Sequence, residues 1–394
     1  MRGLGAALVA LAAGHALSNA LRTLPAVAAD VLAADLGIGV DRLATIVGMF
    51  HLAFAVTQVP LGVALDRYGV RPVALVSLAV ASAGAALAAT ATGPWTMLVA
   101  QVTMGIGCAG GLVMPMTLAA KQLPPARFGL WSGLILALGN IGMLISASPL
   151  AWLVDTAGWR AGFWVGLAWA ALLVPLIALL VREPRLAPDP GRTPLGDARH
   201  VLRLLASPHL RDVVAIAFVS FAGVIAVRGL WGGPWLMEVK GLSRIGAGNV
   251  LLVLTLALVV GPALAGMLER RTGKPRMLLT CGHVAAGLVL LVLVSLAKAG
   301  PVTDVVLLGA FGLLVSTQPL TFSLTRSRVA REETGRALAA VNLSFFAGAA
   351  ILQPLSGVAA AQGGPGAGIA LIGVALTAVG AVFPLLSRRA TGTP

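Results

Sequence analysis

The sequence has little charge and few of the residues that soluble proteins place on their surfaces. Charged residues make up 11% of the 394 residues, and the whole chain contains a single tyrosine. Hydrophobic residues reach 58%, and the mean hydropathy is +0.95. This balance excludes a soluble enzyme and a disordered chain, and it is typical of a protein whose solvent is the lipid bilayer.

Cysteine is also scarce. The two cysteines, Cys108 and Cys281, both lie inside apolar runs. A secreted scaffold held by disulfides is therefore excluded. The sequence also lacks a phosphate-binding Gly-Lys-Ser/Thr loop, a catalytic triad and metalloprotease spacing. We expect neither an enzyme nor a bound cofactor.

Long apolar runs dominate what remains. A helix needs about 20 apolar residues to cross the hydrocarbon core, and that length predicts an all-α membrane protein with twelve transmembrane helices. The spans cover residues 4–30, 43–65, 72–93, 95–120, 128–153, 160–181, 212–238, 246–268, 277–298, 302–325, 336–360 and 367–387. The first run also has features of a cleavable signal peptide, with Ala26-Val27-Ala28 before Ala29, but the internal repeat described below requires it as a span.

The net charge of +14 arises from the loops between these runs. Most lysines and arginines fall on one side of the spans, and five fall on the other: Arg42, Arg160, Lys240, Arg244 and Lys298. The positive-inside rule then predicts that both termini lie in the cytoplasm, in a bacterial inner membrane. No basic stripe with interleaved aromatics occurs, so nucleic acid is not an expected partner.

A hydrophilic segment, residues 182–211, divides the chain into an N-terminal half (1–181) and a C-terminal half (212–394). This linker begins rich in proline and then permits a short amphipathic helix, which places Val201 and Leu204 on one face. We expect that helix to lie at the cytoplasmic interface.

The two halves repeat each other. At an offset of 204 to 206 residues the following features align: Arg22 with Arg228, Gly62 with Gly266, Gly69 with Gly273, Pro115 with Pro319, and Pro149 with Pro354. Two six-helix halves related by a pseudo-twofold axis are predicted. That is a recognised transporter design, in which substrate binds near the bilayer midplane at the repeat interface.

One loop carries a recognisable pattern between the second and third spans. Its marked residues are Gly62, Asp66, Arg67, Gly69 and Arg71, and a weaker copy holds Gly266, Glu269, Arg270 and Gly273. The pattern resembles the signature loop of the major facilitator superfamily, and with the span count the resemblance covers essentially the whole chain. It implies a twelve-helix carrier that works by alternating access, as a monomer and without a cofactor.

The signature loop has a physical interpretation of its own. Gly62 would let two helices approach closely, Gly69 would adopt a positive φ, and Asp66 would pair with a cation or a helix N-terminus. Such a charged clasp can favour one alternating-access state. The competing interpretation is a tight turn whose positive charges only set topology.

Three stretches resemble a particular branch of the superfamily, the nitrate/nitrite-type and organic-anion-type uptake carriers. They are residues 21–25, 228–236 and 352–357. The fifth span, from Gly139 to Pro149, departs from the Gly-Pro-rich pattern of proton-exchanging drug exporters. The arginines stand here on the first and seventh spans, rather than on the second and eighth as in nitrate carriers.

The arginines inside the spans are the strongest candidates for substrate binding. Burying an arginine at bilayer depth costs roughly 2.5 kcal/mol on insertion scales, so a retained one is a functional candidate. In the resembled fold, the spans of Arg22 and Arg228 line one central cavity, where two guanidinium groups would clamp a carboxylate, phosphonate or inorganic oxyanion. The alternative is that each snorkels to the headgroups or pairs with Asp30, Asp35 or Glu238.

Helical spacing adds neighbours to both arginines. Asn19 shares the face of Arg22, in a polar stripe that also contains His15 and Ser18. Trp231 shares the face of Arg228 and offers an aromatic surface on which an organic substrate could stack. The same face is expected to hold Ser220, Val224 and Trp235.

No span has a central Asp or Glu, so a proton relay through a carboxylate is not expected. His51 and His15 are the candidates for proton coupling, because histidine titrates near neutrality; otherwise the proton rides on the substrate. Each can instead be a neutral packing residue. Asn140 and Asn342, in spans five and eleven, are further substrate-binding candidates that would serve equally well as interhelical hydrogen-bond partners.

Two pairs of sulfur-containing residues raise the alternative of a metal site. Met104 and Met277 each precede a cysteine by four residues, a spacing that suits Cu(I). Buried Met and Cys ordinarily pack as hydrophobic residues, however, and we predict no metal site.

The sequence predicts a secondary transporter that takes up a small, anionic solute with protons by rocker-switch alternating access. The alternatives are an exporter of amphipathic compounds, a copper importer and a non-transporting membrane receptor.

Overall fold

The structure is a computed structural model that describes residues 2–123, 125–146, 148–183, 194–329 and 334–390. Within these ranges, eleven helical stretches are long and apolar enough to cross a membrane. The last of them, Ala337–Ser387, leaves helical geometry at Gly363 and Gly364, where φ is −134° and +71°. Divided at this break it supplies two spans, which makes twelve. The predicted all-α membrane architecture is confirmed.

The chain divides into two compact units. The first contains Met1–Gly37 and Met49–Pro194, and the second contains Ile38–Gly48 and Leu195–Pro394. The beginning of the third helix therefore belongs to the second unit. The sequence alone did not predict that residues 38–48 belong to the second unit, because they continue directly into an apolar span of the first half.

In the described residues up to 183, nine helices precede the linker. They are α1 (Arg2–Val27), α2 (Ala29–Leu36), α3 (Val40–Tyr68), α4 (Val70–Ala89), α5 (Pro94–Cys108), α6 (Val113–Gln122), α7 (Pro125–Ile145), α8 (Ser148–Ala157) and α9 (Trp159–Leu180). Three predicted spans are interrupted. The first breaks at Ala28, the fourth breaks over residues 109–112, and the fifth consists of α7 and α8. The fourth span breaks at Gly110 and Gly111, and glycine is costly inside a helix.

The linker helix and the second half follow. They comprise α10 (Pro194–Leu205), α11 (Arg211–Ala226), a π-helical turn (Val227–Trp231), α12 (Gly232–Pro234), a second π-helical turn (Trp235–Val239), α13 (Arg244–Thr272), α14 (Pro275–Ser295), α15 (Pro301–Val315), α16 (Leu320–Arg326) and α17 (Thr334–Ala390). The predicted tenth span breaks between α15 and α16, just before α16 begins at Leu320. The predicted amphipathic helix is α10, whose Val201 is buried.

One close helix contact recurs in both units. A Cβ atom on Gly142 of α7 would lie 1.8 Å from the carbonyl oxygen of Ala16 in α1. A Cβ atom on Gly348 of α17 would lie 1.7 Å from the carbonyl oxygen of Phe218 in α11. Both positions require glycine, which lets membrane helices approach backbone to backbone. Since these glycines are separated by the repeat offset of 206 residues, each half brings its first and fifth spans together in the same way.

The outer surface is apolar. Large aliphatic side chains are the exposed ones on the long helices, as at Val56, Leu172 and Leu179, which are 65%, 68% and 70% exposed. The buried set includes Arg22 and Arg228. This distribution suits a protein surrounded by lipid, where polar side chains are placed inside the bundle.

Candidate functional site

Arg228 lies on the first π-helical turn, directly after α11, and its side chain is fully buried. Its Nε donates a hydrogen bond of 2.8 Å to Oγ1 of Thr255 on α13. Thr255 in turn donates to the carbonyl of Leu251 at 2.7 Å. A π-helical turn inserts one extra residue per turn and is frequent at functional sites. Here it occurs in a stretch with Gly229, Gly232 and Gly233, where the regular helix is weakest.

The expectation that Arg228, Trp231 and Trp235 share one helix face is wrong. Trp231 donates from Nε1 to Ser356 Oγ of α17 at 2.8 Å, whereas Trp235 donates from Nε1 to Asp304 Oδ1 of α15 at 2.8 Å. The π-helical turns change the angular step between successive residues, so spacing counted on a regular helix fails beyond Val227. Trp231 stays a candidate, and Trp235 belongs to another cluster.

That second cluster is a buried ion pair missed by the sequence analysis. Lys240 Nζ lies 3.1 Å from Asp304 Oδ2, and the two side chains are 3% and 0% exposed. Lys240 also donates to the carbonyls of Leu296 and Ala299 at 3.0 and 3.1 Å. Asp304 stands in the first turn of α15, where a carboxylate is favoured by the helix dipole. The sequence analysis missed Asp304 because this residue stands at the end of a span, beside polar residues.

In the first unit, Arg22 is buried on α1, five residues before that helix ends. The predicted polar stripe around it faces the inside of the unit. Asn19 donates from Nδ2 to the carbonyl of Gly139 in α7 at 2.8 Å, and the hydroxyls of Thr23 and Ser146 are 2.5 Å apart. Asn19 therefore bonds α1 to α7, which is the interhelical role that polar membrane residues often have.

Both candidate histidines are buried. A Cβ atom on Gly139 would lie 1.9 Å from Cδ2 of His15, so the imidazole packs directly on this glycine of α7. His51 on α3 is 0% exposed and makes an edge contact with Phe50, with ring centroids 5.3 Å apart. Asn140 and Asn342 are half-buried.

Asp35, one expected partner of the buried arginines, has other partners. Its Oδ2 accepts hydrogen bonds from Arg160 NH1 at 2.5 Å and from Trp159 Nε1 at 3.1 Å. Arg160 also donates from NH2 to the carbonyl of Ala91 at 2.7 Å. The hydrogen bond from Arg160, followed by that from Trp159, holds the pKa of Asp35 below its usual range. This clasp ties the end of α2 to the start of α9.

The signature loop was predicted in part. Gly69 has a φ of +81°, as expected, and Gly273 of the second copy has a φ of +62°. The expectation for Gly62 is wrong, since no atom of the described chain lies within 4 Å of a Cβ placed there, and the same holds for Gly266. The side chain of Asp66 lies outside the described residues.

The remaining charges of both copies are solvent-facing or locally bonded. Arg67, Arg71 and Arg270 are exposed, and Arg67 stacks over the ring of Tyr68 at 5.6 Å. Glu269 accepts a hydrogen bond from Ser323 of α16 at 2.7 Å.

Another carboxylate, that of Glu183, makes the two kinds of contact expected of Asp66, one with a helix N-terminus and one with a cation. Glu183 Oε2 accepts a hydrogen bond of 2.5 Å from the backbone N–H of Val70, the first residue of α4. Its Oε1 lies 3.0 Å from Nζ of Lys121 at the end of α6. The position of Glu183 just after the sixth span was the only sequence feature that could have marked it as part of this loop. Because Glu183 and Gly69 are far apart in sequence, there was no reason to pair them.

The residues that could bind copper in the two halves lie in different environments. His283, the histidine nearest Cys281 in sequence, is fully buried, with Nε2 2.5 Å from Ser220 Oγ and Nδ1 2.8 Å from the carbonyl of Leu279. Cys281 is exposed and Cys108 is buried. Over the described ranges, no group of three or more His, Cys, Asp or Glu residues is placed to hold a metal.

Two units built of long apolar helices place the chain in the class of multi-pass helical membrane proteins. The profile of the Major Facilitator Superfamily matches residues 8–352, and the chain belongs to this superfamily. This is a family assignment of a secondary transporter and not of an enzyme. The predicted superfamily is thereby confirmed, while the branch that handles nitrate and organic anions stays a prediction.

Curated relatives are distant. A Bacillus subtilis protein whose name assigns it to niacin and nicotinamide transport, NiaP, is 26% identical over 272 residues, which cover 66% of this chain and 66% of that protein. The methylenomycin A resistance protein of the same organism is 27% identical over 235 residues, covering 58% of this chain and 46% of that protein. The chain thus spans less than two thirds of either relative.

Among solved structures, the nucleoside transporter NupG superposes with a TM-score of 0.79 over 98% of this chain and 99% of that chain. The sequences are 14% identical, so this likeness shows the fold alone.

Proposed function

We propose that this secondary transporter carries a small organic anion and that Arg22 and Arg228 bind its negative charge. The observation that carries the proposal is the burial of one arginine on the first span of each half, at positions 206 residues apart. A buried guanidinium is well suited to bind a carboxylate, because it can donate two parallel charge-assisted hydrogen bonds to it. The name of NiaP includes niacin, a carboxylate at neutral pH, together with the uncharged nicotinamide, so an organic acid is among the cargoes it suggests.

The same charges supply a reason for alternating access. A carrier needs a cargo that changes the relative free energies of its two open states and its closed state. An anion that neutralises both guanidinium groups lowers the free energy needed to occlude them, so binding permits closure. In this proposal the two halves rock about the cargo, and the loops at Gly69 and Gly273 exchange partners on the cytoplasmic side.

For coupling, the proposal assigns the proton to His51. His15 packs on Gly139, which fixes its ring between α1 and α7, whereas His51 is buried near the middle of α3. Histidine can exchange a proton near neutral pH, and uptake of an anion together with a proton is favoured by an inward proton gradient. The proposed location is the bacterial cytoplasmic membrane with both termini inside, on the distribution of positive loops.

The test is uptake of radiolabelled nicotinate into proteoliposomes, with and without an inward proton gradient. Arg22→Gln and Arg228→Gln should each reduce uptake by at least about ten-fold, since removing one partner of a buried charge pair costs roughly 2–5 kcal/mol. Arg42→Gln is the matched control, because Arg42 is exposed. Uptake unchanged in both buried-arginine variants would refute the proposed site.

An exporter of amphipathic compounds is the second candidate, favoured by the match to the methylenomycin A resistance protein. The two candidates differ in the charge they accept. A site with two arginines should reject lipophilic cations, so cells expressing the protein should accumulate a cationic dye as fast as cells without it. Reduced accumulation that depends on the protein would favour the exporter.

A further inference from the structure

Gln353 on α17 has a buried amide that the protein does not use. The residue is 0% exposed, and neither Oε1 nor Nε2 has a hydrogen-bond partner within the part of the chain that the structure describes. Its backbone carbonyl accepts a hydrogen bond from Ser356 Oγ at 2.7 Å. A primary amide offers two N–H donors and an acceptor, and burying them unmatched is unfavourable. Such a residue is expected at a site that a ligand completes.

The contacts between α17 and α11 show where Gln353 lies along the length of α11. Ser344 Oγ donates to the carbonyl of Val214 at 2.8 Å, Gly348 packs on Phe218, and Ser356 accepts from Trp231. The two segments therefore run in the same direction. Gln353 lies between the last two contacts, level with the end of α11 and the π-helical turn that carries Arg228.

The face of Gln353 follows from helical spacing. Three residues on, Ser356 meets Trp231. On the other flank, Pro354 lies 3.0 Å from a Cβ placed on Gly48 of α3, and a Cβ on Gly357 would lie 2.4 Å from Cβ of Ala44. At 100° per residue, Gln353 stands between these two faces. It therefore faces the region between the turn that holds Arg228 and the segment of α3 that belongs to this unit.

We infer that Gln353 is a substrate-binding residue and that the cargo is an organic acid with a hydroxyl or amide group near its carboxylate. The inference rests on the proposed function, because Arg228 is taken to bind the carboxylate. An inorganic oxyanion or a simple carboxylate only accepts hydrogen bonds, so it can satisfy Nε2 and leaves Oε1 without a donor. A hydroxyl or amide group both donates and accepts, and it completes the amide of Gln353.

The first experiment measures stability without substrate and is independent of which acid is carried. Gln353→Leu and Gln353→Met replace the amide by apolar groups of similar volume. If the amide is unsatisfied in the substrate-free protein, the apparent melting temperature of both variants equals or exceeds that of the wild type. Gln101→Leu is the control, since Gln101 is a buried glutamine of the first unit whose amide contacts Met97 Sδ at 3.9 Å.

The second experiment measures affinity by thermal shift of the purified full-length protein, using two matched pairs of acids. The pairs are 3-hydroxybutanoate with butanoate and 3-hydroxybenzoate with benzoate. In the wild type, the hydroxylated member of at least one pair should bind on the order of ten-fold more tightly. Gln353→Leu and Gln353→Met should abolish this preference and leave the affinity for the unsubstituted acid within about two-fold. Gln101→Leu should keep the preference.

The outcomes separate this inference from the proposed function. If Arg228→Gln abolishes binding of both members of a pair while the Gln353 variants keep the hydroxyl preference, the anion site stands and the role of Gln353 is overturned. If the wild type shows no preference within either pair, or if both Gln353 variants are less stable than Gln101→Leu, the inference is likewise overturned. If Arg228→Gln binds both acids like the wild type, the proposed function fails with it.

Discussion

Glu183 and Val70 are 113 residues apart in sequence, and the carboxylate of Glu183 accepts a 2.5 Å hydrogen bond from the backbone N–H of Val70. This contact fixes the chain just after the sixth span to the signature loop. It also places Glu183 close to Gly69, whose φ of +81° requires glycine: a Cβ atom there would lie 2.7 Å from Glu183 Oε2. The loop is therefore held by a residue outside the pattern that identifies it.

Glu183→Ala should lower the free energy of unfolding by about 1–2 kcal/mol, through loss of the helix cap and of the pair with Lys121. Glu183→Gln should lose less, because an amide oxygen can still accept from Val70. The measurement is the apparent melting temperature of both variants in detergent. Equal losses in the two variants would show that the ion pair, rather than the cap, carries the stabilisation.

A second buried carboxylate joins three elements of the second unit. The two terminal guanidinium nitrogens of Arg328, NH1 and NH2, donate to the carboxylate of Asp212, and Ser387 Oγ donates to its Oδ2 at 2.7 Å. The side chains of Arg328 and Asp212 are 10% and 0% exposed. Asp212→Asn should destabilise the protein by about 3–5 kcal/mol, because it leaves a mostly buried guanidinium without its counter-charge.

Asp212→Asn with Arg328→Gln should cost less than the two single changes added together, since the double variant leaves no buried charge unpaired. Chemical denaturation of the four proteins in detergent measures this coupling. Additive losses would show that the two side chains do not stabilise the fold as a pair.

The glycine contacts predict a sharp difference between conservative changes. Gly142→Ala and Gly348→Ala place a Cβ within 2 Å of a backbone oxygen and should prevent close helix packing in their own unit. Each should reduce the yield of monodisperse protein by size-exclusion chromatography. Gly62→Ala, which meets nothing within 4 Å, should fold normally and gain up to about 1 kcal/mol from helix propensity. Failure of Gly62→Ala to fold would contradict the packing described for this loop.

The Asp35 clasp gives a pH dependence of known sign. Its pKa is depressed in the folded protein by Arg160 and Trp159, so its contribution to stability is present above the ordinary pKa of about 3.9 and is lost as pH falls through the lower, folded value. The melting temperature of the wild type should therefore fall below pH about 4 more steeply than that of Asp35→Asn. Asp41→Asn, at an exposed carboxylate of α3, controls for the loss of one charge. Parallel curves for all three proteins would contradict the role of the clasp.

Much of the fold was accessible from the sequence. Apolar runs of about 20 residues predict spans because a helix satisfies its own backbone hydrogen bonds in lipid. The internal repeat is reflected in the structure by Gly142 and Gly348, which stand 206 residues apart and have equivalent surroundings. The interruptions at residues 109–112 and between α15 and α16 were missed, because hydropathy reports whether a segment is apolar and carries no information on helix continuity.

The candidate site was predicted less completely. The sequence located Arg228 and Trp231, since charge and aromatic surface inside a span stand out against aliphatic neighbours. It could not assign Thr255, Ser356 or Gln353 to them, because these residues are contributed by other spans. It also placed Trp235 on the wrong face, since periodicity assumes one angular step and the seventh span contains two π-helical turns.

The sequence by itself determined that this chain is a membrane protein and that it is built of two repeated halves. It also determined that each half carries one arginine inside a span, where exposure to lipid would be unfavourable. These conclusions depend on transfer free energies and helix length, which are local properties of a chain. Only the tertiary structure decided which side chains bond to Arg228 and the two tryptophans, which carboxylate holds the signature loop, and which buried amide is left for a ligand. Contacts between distant spans depend on helix rotation, breaks and close packing, and no local pattern encodes those.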